Sequence, residues 1–387
     1  MSCPRCRGTA RFVGYRERTV LGLLGPIVVK RAYYHCKPCR RGFHPADATL
    51  GLDAADATPG AREAIALAGA VDAFGPAAET LLERMAGLRV SASTARRTAE
   101  AVGADVGRRL DEGEVFGESR DWRWHRDAEG KTCAYVAIDA TGTRQQAPDG
   151  GPADGRMCAV ATVYNPIPKD RRRWARPDAL RRPERKARYV ASLEGQATLA
   201  EPLRSQAAQV GMDRAERWIA ISDGGSGLED WLRVNFPRVE AVILDFFHAA
   251  EHLAELAAAW DGPGTEAAEA RFQAWRRRLK REGGAAVLEE LRTLAPPKRA
   301  RDRHRETLTY FENQAHRMDY PAYVKKGWAI GSGPVEAACK TVIGRRLKGT
   351  GMRWRPDGAD AMAHLRALLI GERGQWAAYW DQPARAA

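Results

Sequence analysis

Apolar residues recur with a helical period over residues 54–115. One face repeats at the i, i+3, i+4 and i+7 positions and consists of Ala64, Leu67, Ala68 and Val71. Two further helices are predicted at residues 77–86 and 93–100, with a turn at 87–90 between them and Ser91 as the cap of the second. This outline is typical of a helix-turn-helix, and equally of a plain hairpin of two packed helices.

Residues 130–250 alternate between apolar strands and helices. The five predicted strands are residues 133–139, 157–164, 188–192, 218–223 and 240–245. Helices are predicted at residues 198–210, after the third strand, and at 228–236, after the fourth. This order of elements matches the core of the RNase H-like fold, in which helices flank a mixed five-stranded sheet. We therefore expect an α/β fold whose catalytic core is an RNase H-like mixed sheet.

The remainder of the chain is predicted to be helical. Residues 251–325 are rich in Arg, Lys and Glu, and we expect them to form a helical insertion in the core. Their most basic run, residues 275–281, is either a solvated helix face or a surface that follows DNA phosphates. Residues 326–387 are predicted to supply the C-terminal helices of the core, at 335–347 and 359–372.

Two Cys-x-x-Cys pairs enclose a β-rich stretch at the start of the chain. The four cysteines are Cys3, Cys6, Cys36 and Cys39. Predicted strands at residues 11–15 and 27–34 lie between the pairs, which is the layout of a zinc ribbon. Four thiolates suit tetrahedral Zn²⁺ in a closed, structural site, whereas a redox Cys-x-x-Cys needs no second pair. Residues 1–53 are therefore predicted to be a zinc ribbon with a structural Zn²⁺.

The charge balance of the chain is basic. Lys and Arg number 62 against 49 acidic residues, which gives a net charge of +13. Such a balance favours a polyanionic partner, most often a nucleic acid, although an Arg-rich coding bias would produce the same excess. The chain has no apolar run long enough to cross a bilayer and no apolar run typical of a signal peptide. We therefore expect a cytoplasmic protein.

Two aspartates follow the first and fourth predicted strands. In an RNase H-like sheet these strands are neighbours, so Asp139 and Asp223 are expected to lie close together. Adjacent carboxylates repel each other unless a cation lies between them, and Mg²⁺ accepts such oxygen ligands. Glu336, on a later helix, would complete an acidic triad for two-metal phosphoryl transfer. Taken singly, each aspartate is as typical of a turn, and Glu336 of a helix N-terminus.

A second group of polar residues follows the fifth predicted strand. Asp245 and His248 are one helical turn apart, and His252 lies a further turn along. This spacing allows either a zinc site or a buried hydrogen-bonded pair. We favour a role without metal, in which His248 lies near the reacting phosphate or orients an acid.

Several runs of this sequence resemble one group of bacterial insertion-sequence transposases, the ISKra group. The runs are residues 139–142, 222–224, 245–253, 331–340, 345–348 and 351–354. The similarity spans about residue 132 to the C-terminus. The group is similar to Mutator-type elements, which carry a Cys/Asp-x-x-His motif between the second and third acids. Asp245 and His248 match that motif.

The resemblance implies a DDE transposase. Its catalytic acids would be Asp139, Asp223 and Glu336, and it would use Mg²⁺ or Mn²⁺. It would bind terminal inverted repeats of its element, cut there and join the 3′ ends to target DNA at the bacterial nucleoid. Paired ends imply a homo-oligomer, at least a dimer. The expected DNA-binding residues are Arg96, Arg97, Lys340, Arg345, Arg346, Lys348 and Arg353.

Two other functions compete with this one. A different RNase H-like nuclease would keep the acids but would need neither a zinc ribbon nor a helix-turn-helix. A DNA-binding regulator derived from a transposase would keep the basic surface and the ribbon but would not cut DNA. The complete acidic triad argues against the regulator.

Overall fold

A three-stranded antiparallel sheet forms the N-terminal part of the chain. The computed structural model describes residues 1–52, 56–166 and 186–381, so the predicted boundary at residue 53 and the last six residues lie outside it. Its first elements are β1 (Arg11–Gly22), β2 (Gly25–Cys36), β3 (Arg41–Phe43) and α1 (Pro45–Thr49). The β1–β2 hairpin is longer than predicted and turns at Gly25, whose φ of +116° favours glycine. We call residues 1–52 the N-terminal module.

The predicted helical segment packs against the rest of the molecule. It contains α2 (Pro59–Val71), α3 (Phe74–Pro76), which continues as a π-helical stretch (Ala77–Met85), and α4 (Ala92–Asp111). Ser91 caps α4, since its hydroxyl accepts a hydrogen bond from the Thr94 N–H at 3.1 Å. Helix α4 is longer than predicted because its apolar face packs on α2 and on a C-terminal helix.

A mixed sheet lies at the centre of the fold. Its strands are β4 (His125–Arg126), β5 (Thr132–Gln146), β6 (Pro152–Asn165), β7 (Lys186–Ser192), β8 (Arg217–Ser222) and β9 (Val239–Leu244). The spatial order is β7-β6-β5-β8-β9, with β4 paired to β5. Strands β5, β6 and β7 are antiparallel neighbours, whereas β8 and β9 run parallel to β5. The five predicted strands are therefore confirmed, and they form a mixed sheet.

Helices cover both faces of this sheet because the side chains of β5 alternate between them. Ala134, Val136 and Ile138 pack with α5 (Ala200–Gln209) and α6 (Leu228–Asn235), which follow β7 and β8. The alternate residues Cys133, Tyr135 and Ala137 face the larger core of α4 and the later helices. Both faces of the central strand are buried, which explains its unbroken apolar run.

The stretch predicted as a helical insertion is helical. It contains α7 (Phe246–Asp261), α8 (Glu266–Glu282), α9 (Gly284–Thr293), α10 (Arg301–Gln314) and α11 (Tyr320–Lys325). Helices α7, α8, α9 and α10 pack on one another, and Leu253, Trp275 and Phe311 share their buried interior. Most basic side chains of the segment therefore lie on the outward faces of the packed helices, whereas Arg317 is buried.

The C-terminal part begins with a compound helix. It contains α12 (Gly333–Ala338), a π-helical stretch (Cys339–Gly344) and α13 (Arg345–Leu347), and α12 packs against β5 and β6. Then come α14 (Pro356–Ile370), which was predicted, and α15 (Gln375–Trp380), which was not. Among the described residues, no helix combines the length and apolar character that a membrane crossing requires.

One boundary of the central strand differs from the prediction. Strand β5 does not end at Asp139 but continues to Gln146, paired with β6 as far as Pro152. The parallel ladder with β8 does stop there, at the pair Ile138 and Ser222. Beyond it Thr143 and Gln145 are buried, and Gln145 donates to the Thr143 hydroxyl at 2.8 Å. This polar pairing sustains the strand where the apolar pattern has ended.

Candidate active site

Two aspartates lie side by side where the parallel ladder of β5 and β8 ends. Ile138 and Ser222 are its last register pair, and Asp139 and Asp223 are the next residues on each strand. Each carboxylate also accepts a hydrogen bond from a nearby backbone N–H. Asp139 accepts from Ala140 at 2.7 Å, and Asp223 accepts from Gly225 at 3.0 Å. The sequence correctly predicted that these two residues are neighbours.

The electrostatics of Asp139 link it to both other acids. Burial raises the pKa of Asp139, and the nearby charges of Asp223 and Glu336 raise it further. Hydrogen bonds from the Ala140 N–H and the Cys339 thiol act in the opposite direction without cancelling the rise. Repulsion of this kind is relieved when a cation binds between the carboxylates, so the three acids favour a divalent ion.

Glu336 reaches the aspartates from the start of α12. Pro334 occupies the first turn of that helix, and the preceding Ser332 donates its hydroxyl to Glu336 Oε1 at 3.2 Å. Lys340 lies one turn further along, with its Nζ 3.7 Å from Glu336 Oε2. Because α12 packs on β5 and β6, it brings this glutamate near enough to Asp139 for their charges to interact.

Asp245 joins the end of β8, the start of α7 and the residue before α12. It is fully buried, and its Oδ1 caps α7 by accepting from the Phe247 and His248 N–H groups. Its Oδ2 accepts from the Ser332 N–H, directly before α12, while its own N–H donates to the Ser222 carbonyl at 2.9 Å. Both carboxylate oxygens are thus already engaged by backbone donors, which favours the hydrogen-bonded alternative over a zinc ligand. Asp245 instead holds the ends of β8 and α12 together.

His248 lies in the first turn of α7 and is partly exposed. Its Nδ1 is 3.6 Å from Glu251 Oε2, and its ring centroid is 5.3 Å from that of His252. Burial and the nearby His248 lower the pKa of His252 to about 4, so His252 is neutral at pH 7. His252 stacks on Tyr310 with the ring centroids 3.8 Å apart. The role predicted for His248 stays a prediction.

The insertion contributes two side chains that sequence reasoning missed. Arg317 is buried beneath the end of β8 and donates to the Ser222 hydroxyl at 2.6 Å. Tyr310 packs on the turn at Gly224, where a Cβ atom would lie 2.6 Å from the Tyr310 ring. Both residues belong to helices without a recognisable motif. The one sequence signal was the pair of glycines after Asp223, which leaves space for a ring.

The four predicted cysteine ligands come together in the N-terminal module. Their sulfur atoms all lie within 4.8 Å of one another. The Cys3 and Cys39 sulfurs are 4.0 Å apart, and the Cys6 and Cys36 sulfurs are 3.6 Å apart. A tetrahedron with Zn–S bonds of about 2.3 Å has edges of about 3.8 Å. The cluster could therefore hold a structural metal ion such as zinc.

The predicted DNA-binding residues divide by burial. The exposed ones are Arg96, Arg97, Lys340, Arg345, Lys348 and Arg353. Lys348 also donates to the Thr141 hydroxyl, two residues beyond Asp139. Arg346 was wrongly assigned to this surface. It is 1% exposed, donates to the Gly69 carbonyl at 2.7 Å and lies against two aromatic rings, so it holds α2 to the compound helix.

The site has the residues for metal-assisted chemistry on a phosphate ester. Three carboxylates interact where the parallel ladder of β5 and β8 ends, and Lys340 and Lys348 flank them with positive charge. Comparison with protein-family models finds no match for this chain, and comparison with curated proteins finds no similar sequence.

Proposed function

We propose that this chain is a DDE-type transposase that cuts and joins DNA at the ends of an insertion sequence. The observation that carries the proposal is the register of β5 and β8, which puts Asp139 beside Asp223, together with the charge coupling of Asp139 to Glu336. Order along the chain supports it as well. The three acids lie on the first strand, directly after the fourth strand and on a helix after an insertion, as in the transposase group that the sequence resembles.

The sheet supports an RNase H-like core. Three antiparallel strands are followed by two that run parallel to the first, and the spatial order is β7-β6-β5-β8-β9. That arrangement brings the end of the fourth strand beside Asp139 of the first strand, at the middle of the sheet. The acidic pair at this point is partly exposed and is supported by the buried strands β5 and β8. Such rigid support suits a site that must position two reacting oxygens.

The acidic triad fits Mg²⁺ or Mn²⁺ by its donor set, since hard cations bind carboxylate oxygens. When bound, the ions would activate the attacking oxygen and stabilise the leaving oxygen of the phosphodiester. Among the described residues, only the four cysteines bring three or more ligand atoms within 4.8 Å of one another. The three carboxylates therefore do not all lie within that distance of one another.

The residues around the triad would hold DNA by its phosphates. Lys340 and Lys348 are exposed beside the acids, and Arg345 and Arg353 are exposed on neighbouring turns. The N-terminal module adds ten Lys and Arg residues against two acidic ones. Such an excess favours DNA binding with a strong dependence on salt. The module would then bind the terminal repeat, with Zn²⁺ as a structural ion, while the triad performs the chemistry.

Strand cleavage of a labelled duplex that carries the end of the element tests the proposal. We expect cleavage at the element boundary with Mg²⁺ or Mn²⁺ and none with Asp223→Asn. Asp230→Asn is the matched control, because it removes the same charge from an exposed position on α6. Binding by the wild type without cleavage would favour a regulator, and cutting of unrelated duplexes or RNA hybrids would favour another nuclease.

The proposal extends to the assembly on DNA. Two element ends must be held together before joining, so we expect at least two copies of the chain in the complex. Light scattering of the protein bound to paired ends measures this directly. One copy on a complex that completes joining would contradict the dimer.

A further inference from the structure

The helical insertion brings one tyrosine onto the turn that carries a proposed catalytic acid. Tyr310, on α10, packs against Gly224, the residue directly after Asp223. A Cβ atom at position 224 would lie 2.6 Å from Tyr310 Cε2 and 3.0 Å from the hydroxyl oxygen. Only glycine permits so close an approach. The ring is therefore part of the wall of the acidic site, although it is 87 residues away in sequence.

The hydroxyl of Tyr310 is buried and has no hydrogen-bond partner among the described residues. The ring itself is held firmly, since it stacks on His252 at 3.8 Å and meets His248 and Phe311 edge-on. A buried hydroxyl without a partner is unfavourable, and such groups commonly mark a place where a ligand supplies the missing bond. The firm packing of the ring indicates that the hydroxyl cannot turn away to find another partner.

The protonation of Tyr310 suits a donor. Burial raises the pKa of the phenol, Arg317 lowers it, and the charges of Asp223 and Asp245 raise it again. The net direction is upward, so the hydroxyl keeps its proton at neutral pH. It therefore presents a hydrogen-bond donor beside the acids. A donor so placed would meet an oxygen of whatever anion the acids and their metal ions hold.

We propose that Tyr310 donates a hydrogen bond to a non-bridging oxygen of the phosphodiester bound at Asp223. The inference rests on the proposed function, because that function supplies the phosphodiester. It makes the insertion part of the reacting site rather than an independent DNA-binding unit. In the transition state the non-bridging oxygens carry the spread charge of the phosphoryl group, so a donor aimed at them accelerates the reaction.

The test compares two hydroxyl deletions. Tyr310→Phe removes an unpartnered buried hydroxyl, so we expect a Tm that is unchanged or raised and a single-turnover cleavage rate lowered by about a hundredfold. Tyr320→Phe is the control, because the Tyr320 hydroxyl is buried and donates to the Leu244 carbonyl at 3.1 Å. The Tm of Tyr320→Phe should be lower than that of the wild type, because the Leu244 carbonyl loses its donor. A Tyr310→Phe variant that cleaves at the wild-type rate would overturn the inference and leave the proposed function standing.

A modified substrate provides the readout that a merely structural role would not change. A methylphosphonate at the scissile position replaces a non-bridging oxygen and removes its charge. For the stereoisomer that lacks the bonded oxygen, we expect a large rate loss in wild type and a much smaller further loss in Tyr310→Phe. Equal losses in both proteins, for both stereoisomers, would contradict the contact. Wild type that neither binds nor cuts the element end would overturn this inference and the proposed function together.

Discussion

Replacing Asp245 by alanine should loosen the region that holds the acidic site together. The carboxylate accepts three backbone N–H groups, from Phe247 and His248 in the first turn of α7 and from Ser332 before α12. Loss of the cap costs about 1 kcal/mol. The buried Ser332 N–H is left without an acceptor, at a further cost of about 1–3 kcal/mol. We expect the free energy of unfolding to fall by about 2–4 kcal/mol in total. Asp245→Asn should cause a smaller loss of stability, because the amide keeps one acceptor oxygen.

Hydrogen exchange locates this loss. The Phe247, His248 and Ser332 amides should exchange faster in Asp245→Ala by a factor of about 30–1,000, which corresponds to about 2–4 kcal/mol at roughly 1.4 kcal/mol per tenfold change. Amides of β6, which has no bond to Asp245, should be much less affected. Asp230→Ala, on the surface, should leave all of them unchanged. If the Ser332 amide exchanges at the wild-type rate in Asp245→Ala, the link between α7 and α12 is refuted.

Four further predictions concern other parts of the molecule. Burial alone would raise the pKa of Glu372, but hydrogen bonds from Trp122 and Arg188 outweigh burial, so the pKa is lowered. The ionised Glu372 therefore stabilises the fold above the unfolded pKa of about 4.3, and this stabilisation is lost as the pH falls through the folded pKa. Urea unfolding at pH 7 should show Glu372→Gln destabilised by about 3–5 kcal/mol, with a weaker decline below pH 5 than wild type. The raised pKa of Asp139 works in the opposite direction, because its buried charge opposes folding at neutral pH. Without divalent ions, Asp139→Asn should have a higher Tm than the wild type. We expect Mg²⁺ to raise the Tm of the wild type but not that of Asp139→Asn. An equal response of both proteins to Mg²⁺ would count against metal binding at Asp139. Gly224→Ala should displace the tyrosine ring and cost about 1–3 kcal/mol by calorimetry, whereas Gly75→Ala, with open space around it, should be neutral within about 0.5 kcal/mol. A zinc chelator should unfold the N-terminal module and weaken DNA binding while the central sheet keeps its exchange protection; full protection of both parts would contradict a structural metal.

Local sequence patterns identified the elements of this fold because each pattern depends on neighbouring residues. The apolar runs gave the strands of the sheet, and the two Cys-x-x-Cys pairs gave the cluster of four cysteines. The extension of β5 beyond Asp139 escaped prediction because it depends on pairing with β6, where Thr143 and Gln145 are buried polar residues. Periodicity reports which side chains share a face, but not which partner covers that face.

The residues whose roles were misassigned or missed have partners that are distant in the sequence. Arg346 looks like a surface cation in a basic helix, yet its partners are the Gly69 carbonyl and the rings of Phe74 and Trp354. Those partners come together only when α2 packs on the compound helix. Tyr310 similarly meets Gly224 across 86 residues of chain. No local pattern encodes such meetings, so neither role is visible in the sequence.

The most direct test of the central claim is iron-directed cleavage of the polypeptide itself. Fe²⁺ bound in place of Mg²⁺ produces hydroxyl radicals that cut nearby backbone in the presence of ascorbate and peroxide. If Asp139, Asp223 and Glu336 hold one metal centre, fragments should map to all three segments. Excess Mg²⁺ and Asp223→Asn should each suppress them, whereas Asp230→Asn should not. Cuts at only one segment, or cuts that persist in Asp223→Asn, would contradict a shared metal site.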